Sequence, residues 1–273
     1  MLHIVVLALA GASAAAGGGC PAGMTWIPVP AEAPDPALES YCLDVTEVTV
    51  AAYRACVVAG ECAPAGESVA VGDLSAEEKR VFSRGCTWNR PARESHPVNC
   101  VTRAEATRFC AAVGKRLPTD SEWTWAALGG EEDRRYPWGG FDPSSRRLNA
   151  CGMECAARFA EIGHKRPAMH FGDDAWPQTA PVGSFPDGEA RWGLQDLAGN
   201  VWELVSDVPR DEPGVAVMRG GGWAQTSPDL VRSRMRAGFP VAGRSSAVGF
   251  RCAADPALPP PRLADQEPAE HER

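Results

Sequence analysis

The sequence predicts an α+β fold with little regular secondary structure. Three observations carry that expectation: three capped helix starts in the first half, short apolar pieces broken by Gly, Pro, Asn and Asp clusters in the second, and ten cysteines along 273 residues. At this length, with 44% hydrophobic residues, a substantial core can be buried. No second compositional regime appears, so the chain reads as one large domain, residues 20–253, between two tails.

Each helix start is a capping box. A Ser or Thr hydroxyl accepts the third helical N–H while a carboxylate three residues on reaches back to the cap. The pairs are Ser75/Glu78, Thr102/Glu105 and Thr119/Glu122. The second opens a run with Ala106, Phe109, Cys110 and Val113 on one inward stripe and Gly114 as its stop. The third carries Trp123, Ala126 and Ala127 before Gly129-Gly130, and an earlier helix is expected from Thr49 to about Val58 with Val50, Tyr53 and Val57 inside. From Gly129 to Cys252 no helical periodicity stands out, and loops with short strands are expected. So long an irregular stretch in a compact domain needs disulfides or bound ions to stiffen it. Residues 254–273, rich in Pro, Ala and acidic side chains, read as a disordered tail.

The apolar run Leu2 to Ala10, followed by Ala12-Ser13-Ala14, has the pattern of a secretory signal peptide over residues 1–19 and is too short to span a bilayer. Its rival is a buried N-terminal strand. No later segment is long and apolar enough to anchor the mature chain. Ten cysteines behind an export signal imply an oxidising compartment, so a secreted or periplasmic location is expected. Cys56/Cys62 and Cys151/Cys155 can close short loops, and Cys20/Cys42 and Cys86/Cys100 are neighbours in sequence, but spacing leaves the connectivity open. Cys20 has a second reading as a lipoprotein's acylated N-terminus, although Gly17 stands where a lipobox normally carries Leu. A net charge of −8 with scattered basic residues lacks the footprint that neutralises phosphates, so nucleic acid is not an expected partner.

Ordered blocks then resemble a known family. They include Tyr41-Cys42-Leu43-Asp44-Val45-Thr46-Glu47-Val48-Thr49, His96-Pro97-Val98-Asn99-Cys100-Val101 and Gly114-Lys115-Arg116-Leu117-Pro118-Thr119. Later come Tyr136-Pro137-Trp138-Gly139, Gly193-Leu194-Gln195-Asp196-Leu197-Ala198-Gly199-Asn200-Val201-Trp202-Glu203, Arg219-Gly220-Gly221-Gly222-Trp223 and Gly249-Phe250-Arg251-Cys252. Together they resemble the formylglycine-generating-enzyme-like, or sulfatase-modifying-factor, family between Met24 and Ala253. The resemblance implies a variant of the C-type-lectin-like fold and a bridge between Cys110 and Cys252.

It also implies two calcium sites. In one, Asp196 and Glu203 supply carboxylates while Gly199 and Val201 supply carbonyls, hard oxygens of the kind Ca²⁺ takes. The bland alternative is a turn whose Asp and Asn bond their own backbone. In the other, Asn149 and the Ala150 carbonyl join Asp174 and the Trp176 carbonyl, against a solvated Asp173-Asp174 pair. A separate zinc reading of Cys151, Cys155, His164 and His170 competes with a Cys151–Cys155 disulfide, which would leave no thiolate to ligate.

Family enzymes oxidise a substrate cysteine through copper held by two thiolates. Those positions align with Gln225 and Leu230, and an amide and a hydrocarbon cannot replace soft thiolates, so copper is not expected. The five histidines also form no iron-binding triad at sensible spacing. The expectation is an exported, non-catalytic domain whose cleft, lined by Trp223, Gln225, Arg232 and Arg234, binds a peptide, a small polar ligand or a protein of the cell envelope, or serves as a structural envelope component. The alternative is a copper- or non-heme-iron-dependent oxidase of the same family acting on a cysteine-containing substrate.

Overall fold

The computed structural model describes residues 19–72 and 74–256. The expected export signal and nearly all of the expected tail lie outside those residues.

Among the described residues, two small sheets and five α-helices carry most of the regular structure. Strands β1 (Met24–Ile27), β2 (Tyr41–Asp44) and β7 (Ala253–Ala254) form an antiparallel sheet in the order β1-β2-β7, with Met24 opposite Asp44 and Cys42 opposite Ala254. Strands β3 (Trp202–Leu204), β4 (Val215–Arg219), β5 (Arg236–Pro240) and β6 (Val248–Gly249) form the second, in the order β5-β4-β3-β6. Its β3–β6 pair is parallel and the others antiparallel. The tail boundary therefore moves outward. Ala254 lies in β7, and the Asp255 carboxylate accepts from Arg116 at 2.7 Å.

The helices are α1 (Val50–Val58), α2 (Ala76–Ser83), α3 (Arg103–Ala112), α4 (Asp120–Leu128) and α5 (Met153–Glu161). All three capping boxes form, and Thr49 caps α1. Gly129 ends α4 in the left-handed region at φ 67°, where a side chain would be strained. Two details differ from the sequence reading. Val113 lies past the end of α3 and is 45% exposed, and Cys56, not Val57, takes the third buried position on α1. The larger correction is α5, inside a stretch that read as irregular. Only Cys155 and Phe159 of its nine residues are buried, and no side chain caps Gly152, so no capping signal announces it; its apolar stripe, Cys155, Phe159 and Ile162 at i, i+4 and i+7, is the signal the sequence did hold.

The core has two main parts. Tyr53 on α1 stacks on Phe109 of α3 at 5.4 Å, and Phe109 meets Phe250 edge-on at 5.6 Å. Trp123 of α4 is fully buried among Leu43, Leu194, Leu197 and Val217, joining both sheets. Aromatic contacts of this kind add about 0.5–1.5 kcal/mol beyond their buried area.

Five disulfides replace what the short elements cannot supply: Cys20–Cys42, Cys56–Cys62, Cys86–Cys100, Cys110–Cys252 and Cys151–Cys155. All ten cysteines are thus paired, and no free thiol remains. The Cys20 sulfur that acylation would need is bonded to Cys42. The same holds for Cys151 and Cys155 as zinc ligands.

The His96–Val101 block works as a polar peg. Asn99 is wholly buried, accepts from the Thr87 N–H at 2.8 Å and donates to the Gly85 and Ser246 carbonyls at 2.9 and 2.7 Å. His96 is buried beside Arg93 and Thr179. Burial, aided by the Arg93 charge, pushes its imidazole down to about 4. A histidine held neutral contributes stability above its unfolded value near 6.5, and that contribution is lost as pH falls toward the folded value. Between pH 7 and 4, urea unfolding should show wild type losing on the order of 3 kcal/mol relative to His96→Phe; an identical pH dependence in the two proteins would refute the assignment.

Candidate functional site: two joined oxygen-lined turns and the segment beside them

The turn from Asp196 to Val201 is built on left-handed residues, with φ of 57° at Asp196, 86° at Gly199 and 54° at Asn200. Gly199 is obligatory, because a Cβ there would stand 2.3 Å from the Asn149 carbonyl oxygen. That close approach lets the Asn200 N–H donate to Asn149 O at 2.8 Å, while Asn149 Nδ2 donates to Asn200 Oδ1 at 3.2 Å. The two turns expected to hold calcium are therefore bolted together.

At the first turn Glu203 is buried and engaged. Its two oxygens accept from Arg251 Nε and Nη2, each at 2.7 Å, and Trp123 Nε1 adds a third bond at 2.8 Å. Asp196 Oδ2 accepts from the Gly183 N–H at 2.6 Å. A third carboxylate, Glu47, shares this interior. Its Oε2 accepts from Asn200 Nδ2 at 3.3 Å and its Oε1 has no partner. Burial pushes Glu47 well above the usual carboxylate range, with the Asp196 and Glu203 charges adding and Arg251 opposing. Burial likewise lifts Asp196 to about 6 against the pull of the Gly183 N–H and Arg251. One guanidinium faces three carboxylates, and the unspent oxygens of Glu47 and Asp196 are hard donors of the kind a divalent cation accepts.

The second turn is richer still in unspent oxygens. Asn149 Oδ1, Asp174 Oδ2 and both Glu154 oxygens are buried without a partner. Asp174 Oδ1 accepts from the Trp176 N–H at 2.8 Å, and Asp173 Oδ1 accepts from the Ala175 N–H at 2.7 Å. Burial lifts Asp174 to about 7, with the Glu154 charge adding and the Trp176 N–H opposing. Acceptors crowded together without a partner fit a cation, so the donor set at Asn149 and Asp174 suits calcium.

The residues expected to line one ligand cleft do not converge. Trp223 is buried, stacked on Phe159 of α5 at 5.9 Å and donating to the Ser246 carbonyl at 3.0 Å. Gln225 and Leu230 are half-buried. Arg232 points outward to Asp229 at 2.6 Å, and Arg234 pairs with Asp133 at 2.6 Å on the rim of a cavity of about 640 Å³. That cavity is lined by Trp125, Asp120 and Arg219 as well, on the α4 side. Against Gln225 itself lies the Cys151–Cys155 disulfide: the Cys151 N–H donates to the Gln225 carbonyl at 3.0 Å, and Cys155 Sγ is 3.8 Å from the Trp223 carbonyl.

Sequence reading missed Glu47, Glu154 and Arg251 as site residues. Glu47 and Arg251 were visible only as members of family blocks. An acid between Val45 and Val48, and an arginine between Phe250 and Cys252, are the signals that a buried charge was present. Glu154 carried none beyond lying five residues after Asn149.

Residues 13–256 match the Sulfatase-modifying factor enzyme 1-like domain family, and the chain belongs to it. It is 36% identical over 200 residues to the formylglycine-generating enzyme of Streptomyces coelicolor, covering 63% of this chain and 59% of that one. To the inactive C-alpha-formylglycine-generating enzyme 2 of Bos taurus it is 34% identical over 190 residues, covering 64% and 58%. The hercynine oxygenase of Mycolicibacterium smegmatis is 32% identical over 165 residues, 51% of this chain and 33% of that one. The chain thus spans well under two thirds of the length of these relatives. Among solved structures, PvdO from Pseudomonas aeruginosa superposes with a TM-score of 0.58 at 20% identity, covering 86% of this chain and 92% of that chain. The fold is accordingly α+β, the formylglycine-generating-enzyme variant of the C-type-lectin-like fold.

Proposed function

We propose that this chain is a non-catalytic member of its family, an exported domain stiffened by calcium that binds a peptide or small polar ligand or docks an envelope protein. One observation carries the reading: all ten cysteines are bonded to one another, and the resemblance to the family puts Gln225 and Leu230 at the positions of its copper-binding thiolates. Soft-metal redox chemistry at that place has no sulfur donors. Five disulfides, with no helix among the described residues long and apolar enough to cross a membrane, are consistent with a secreted or periplasmic setting. The cavity of about 640 Å³ beside Trp125 and Arg234 is the better ligand site, since Trp223 lies under α5. Glu32 and Glu131 on its wall favour a cationic group in the ligand. Purified protein should retain basic peptides from a library, and Trp125→Ala with Glu131→Gln should lose them; no binding from peptides or envelope fractions would leave a structural role alone.

Calcium at the two turns makes a second expectation. Calcium at about a hundredfold over its dissociation constant should stabilise by about 2.7 kcal/mol per site, a rise of roughly 5–10 °C in unfolding midpoint. With chelator present, Asp196 and Asp174 have folded pKa values of about 6 and about 7, above their unfolded values. Their contribution is then full below about pH 4 and lost as pH rises through 6–7, and calcium should abolish that loss. A midpoint indifferent to calcium from pH 5 to 8 would refute the reading.

The enzymatic alternative has one observation in its favour, the Cys151–Cys155 pair against Gln225. Reduction would place two thiols beside the segment that carries copper ligands elsewhere in the family. Stoichiometric copper retained after mild reduction, with oxygen consumed on a cysteine-containing peptide, would support that alternative.

A further inference from the structure

The start of α5 gathers buried carboxylate and amide oxygens with no partner, and the His170 ring, whose Nε2 is equally unpartnered, lies next to them. Asp174 is 7% exposed and spends only Oδ1, on the Trp176 N–H. Its Oδ2 and both Glu154 oxygens are buried and unpartnered. One carboxylate oxygen from each of Glu154, Asp173 and Asp174 lies within 4.8 Å of the others. Asn149, 1% exposed, is clamped through Nδ2 to the Gln178 carbonyl at 2.7 Å and to Asn200, which leaves its buried Oδ1 unspent. Carboxylates crowded together away from water repel one another and lose solvation, and no Lys or Arg bonds to either Glu154 oxygen or to Asp174 Oδ2.

Glu154 reaches this point because Gly152 has no side chain. A Cβ on Gly152 would stand 2.7 and 2.8 Å from the two Glu154 oxygens. The carboxylate therefore folds back over the first turn of its own helix and toward the 173–176 loop. The carboxylates of loop and helix thus face each other, and a hard cation with six to eight oxygen ligands is a partner that completes such a set.

We propose that Glu154 is a side-chain ligand of the same cation as Asn149 and Asp174, so that the ion pins the first turn of α5 to the 173–176 loop. The proposal rests on the calcium reading above and extends it to a residue of α5. Its consequence lies two turns on: Phe159 of the pinned helix covers Trp223, and the Cys151–Cys155 disulfide fixes the same end of α5 to the Gln225 segment. Ion occupancy thereby controls how firmly α5 seals Trp223.

Calorimetric titration of the chelator-stripped full chain with calcium alone tests it. Wild type should bind at two sites, and Asp174→Asn should remove one of them. Glu154→Gln should weaken that same site by at least about tenfold and leave the other unchanged. Gly152→Ala, which displaces the Glu154 carboxylate without removing it, should weaken the same site. Amide exchange across residues 153–161 should slow on adding calcium in wild type and stay unaltered in Glu154→Gln. If Asp174→Asn removes a site while both Glu154→Gln and Gly152→Ala bind like wild type, Glu154 is not a ligand and the calcium reading survives. If wild type binds no calcium at a site sensitive to Asp174, both fall.

Discussion

Replacing Arg251 with methionine should destabilise the protein by about 3–5 kcal/mol, because it strands a buried carboxylate without its counter-charge. Arg251 is fully buried and forks onto both oxygens of Glu203. Its remaining N–H groups donate to the carbonyls of Asp44, Val45 and Gln195 at 2.8–3.0 Å. One side chain therefore ties the end of β2, the Asp196 turn, β3 and the C-terminal segment. With methionine there, Glu203 keeps only Trp123, and Glu47 and Asp196 lose the cation that offsets their crowding. Urea unfolding in chelator should show the loss, and Arg251→Met combined with Glu203→Gln should recover part of it, since an amide carries no charge to strand. A loss under about 1 kcal/mol in the single variant would mean that the pair is not what holds these segments.

Removing Cys110–Cys252 by paired alanine substitution should cost at least as much. The cysteines are 142 residues apart in sequence with Cα atoms 5.7 Å apart, and the bridge joins α3 to the residue before β7. Chain-entropy arithmetic gives about 5 kcal/mol for so long a loop, near the top of the range for native disulfides. The Cys56–Cys62 bridge spans only 6 residues, and the same arithmetic gives about 2 kcal/mol. The two double variants should therefore differ by about 3 kcal/mol in unfolding free energy, provided the bridges act on the unfolded chain. Equal costs would show that native-state packing around the sulfurs dominates instead.

How legible the molecule was in its sequence depended on whether the signal was local. Capping boxes at Ser75, Thr102 and Thr119 and the left-handed stop at Gly129 are written within four residues of where they act, and each forms. Helix α5, marked locally by a short apolar stripe alone, was missed because its stability comes from elsewhere: a disulfide at its start, Phe159 against Trp223, and acceptors that meet the 173–176 loop. The Asp196 turn was visible as an oxygen-rich motif. Its dependence on Glu47 and Arg251 was not, since these lie 149 and 55 residues away and meet only when the two sheets assemble. The cleft drawn through Trp223, Gln225, Arg232 and Arg234 failed as a single surface for the same reason. Proximity in sequence put four side chains together, while the backbone turns Trp223 inward, Arg232 toward Asp229 and Arg234 toward Asp133.

The most direct test of a domain without redox chemistry joins a thiol count to a metal assay on protein recovered from an oxidising compartment. Alkylation of the unreduced, unfolded chain followed by intact mass should show no modified cysteine, copper should be absent after loading and desalting, and no oxygen should be consumed on a cysteine-containing peptide. Two alkylated cysteines, with one copper retained per chain and oxygen uptake dependent on that peptide, would contradict it.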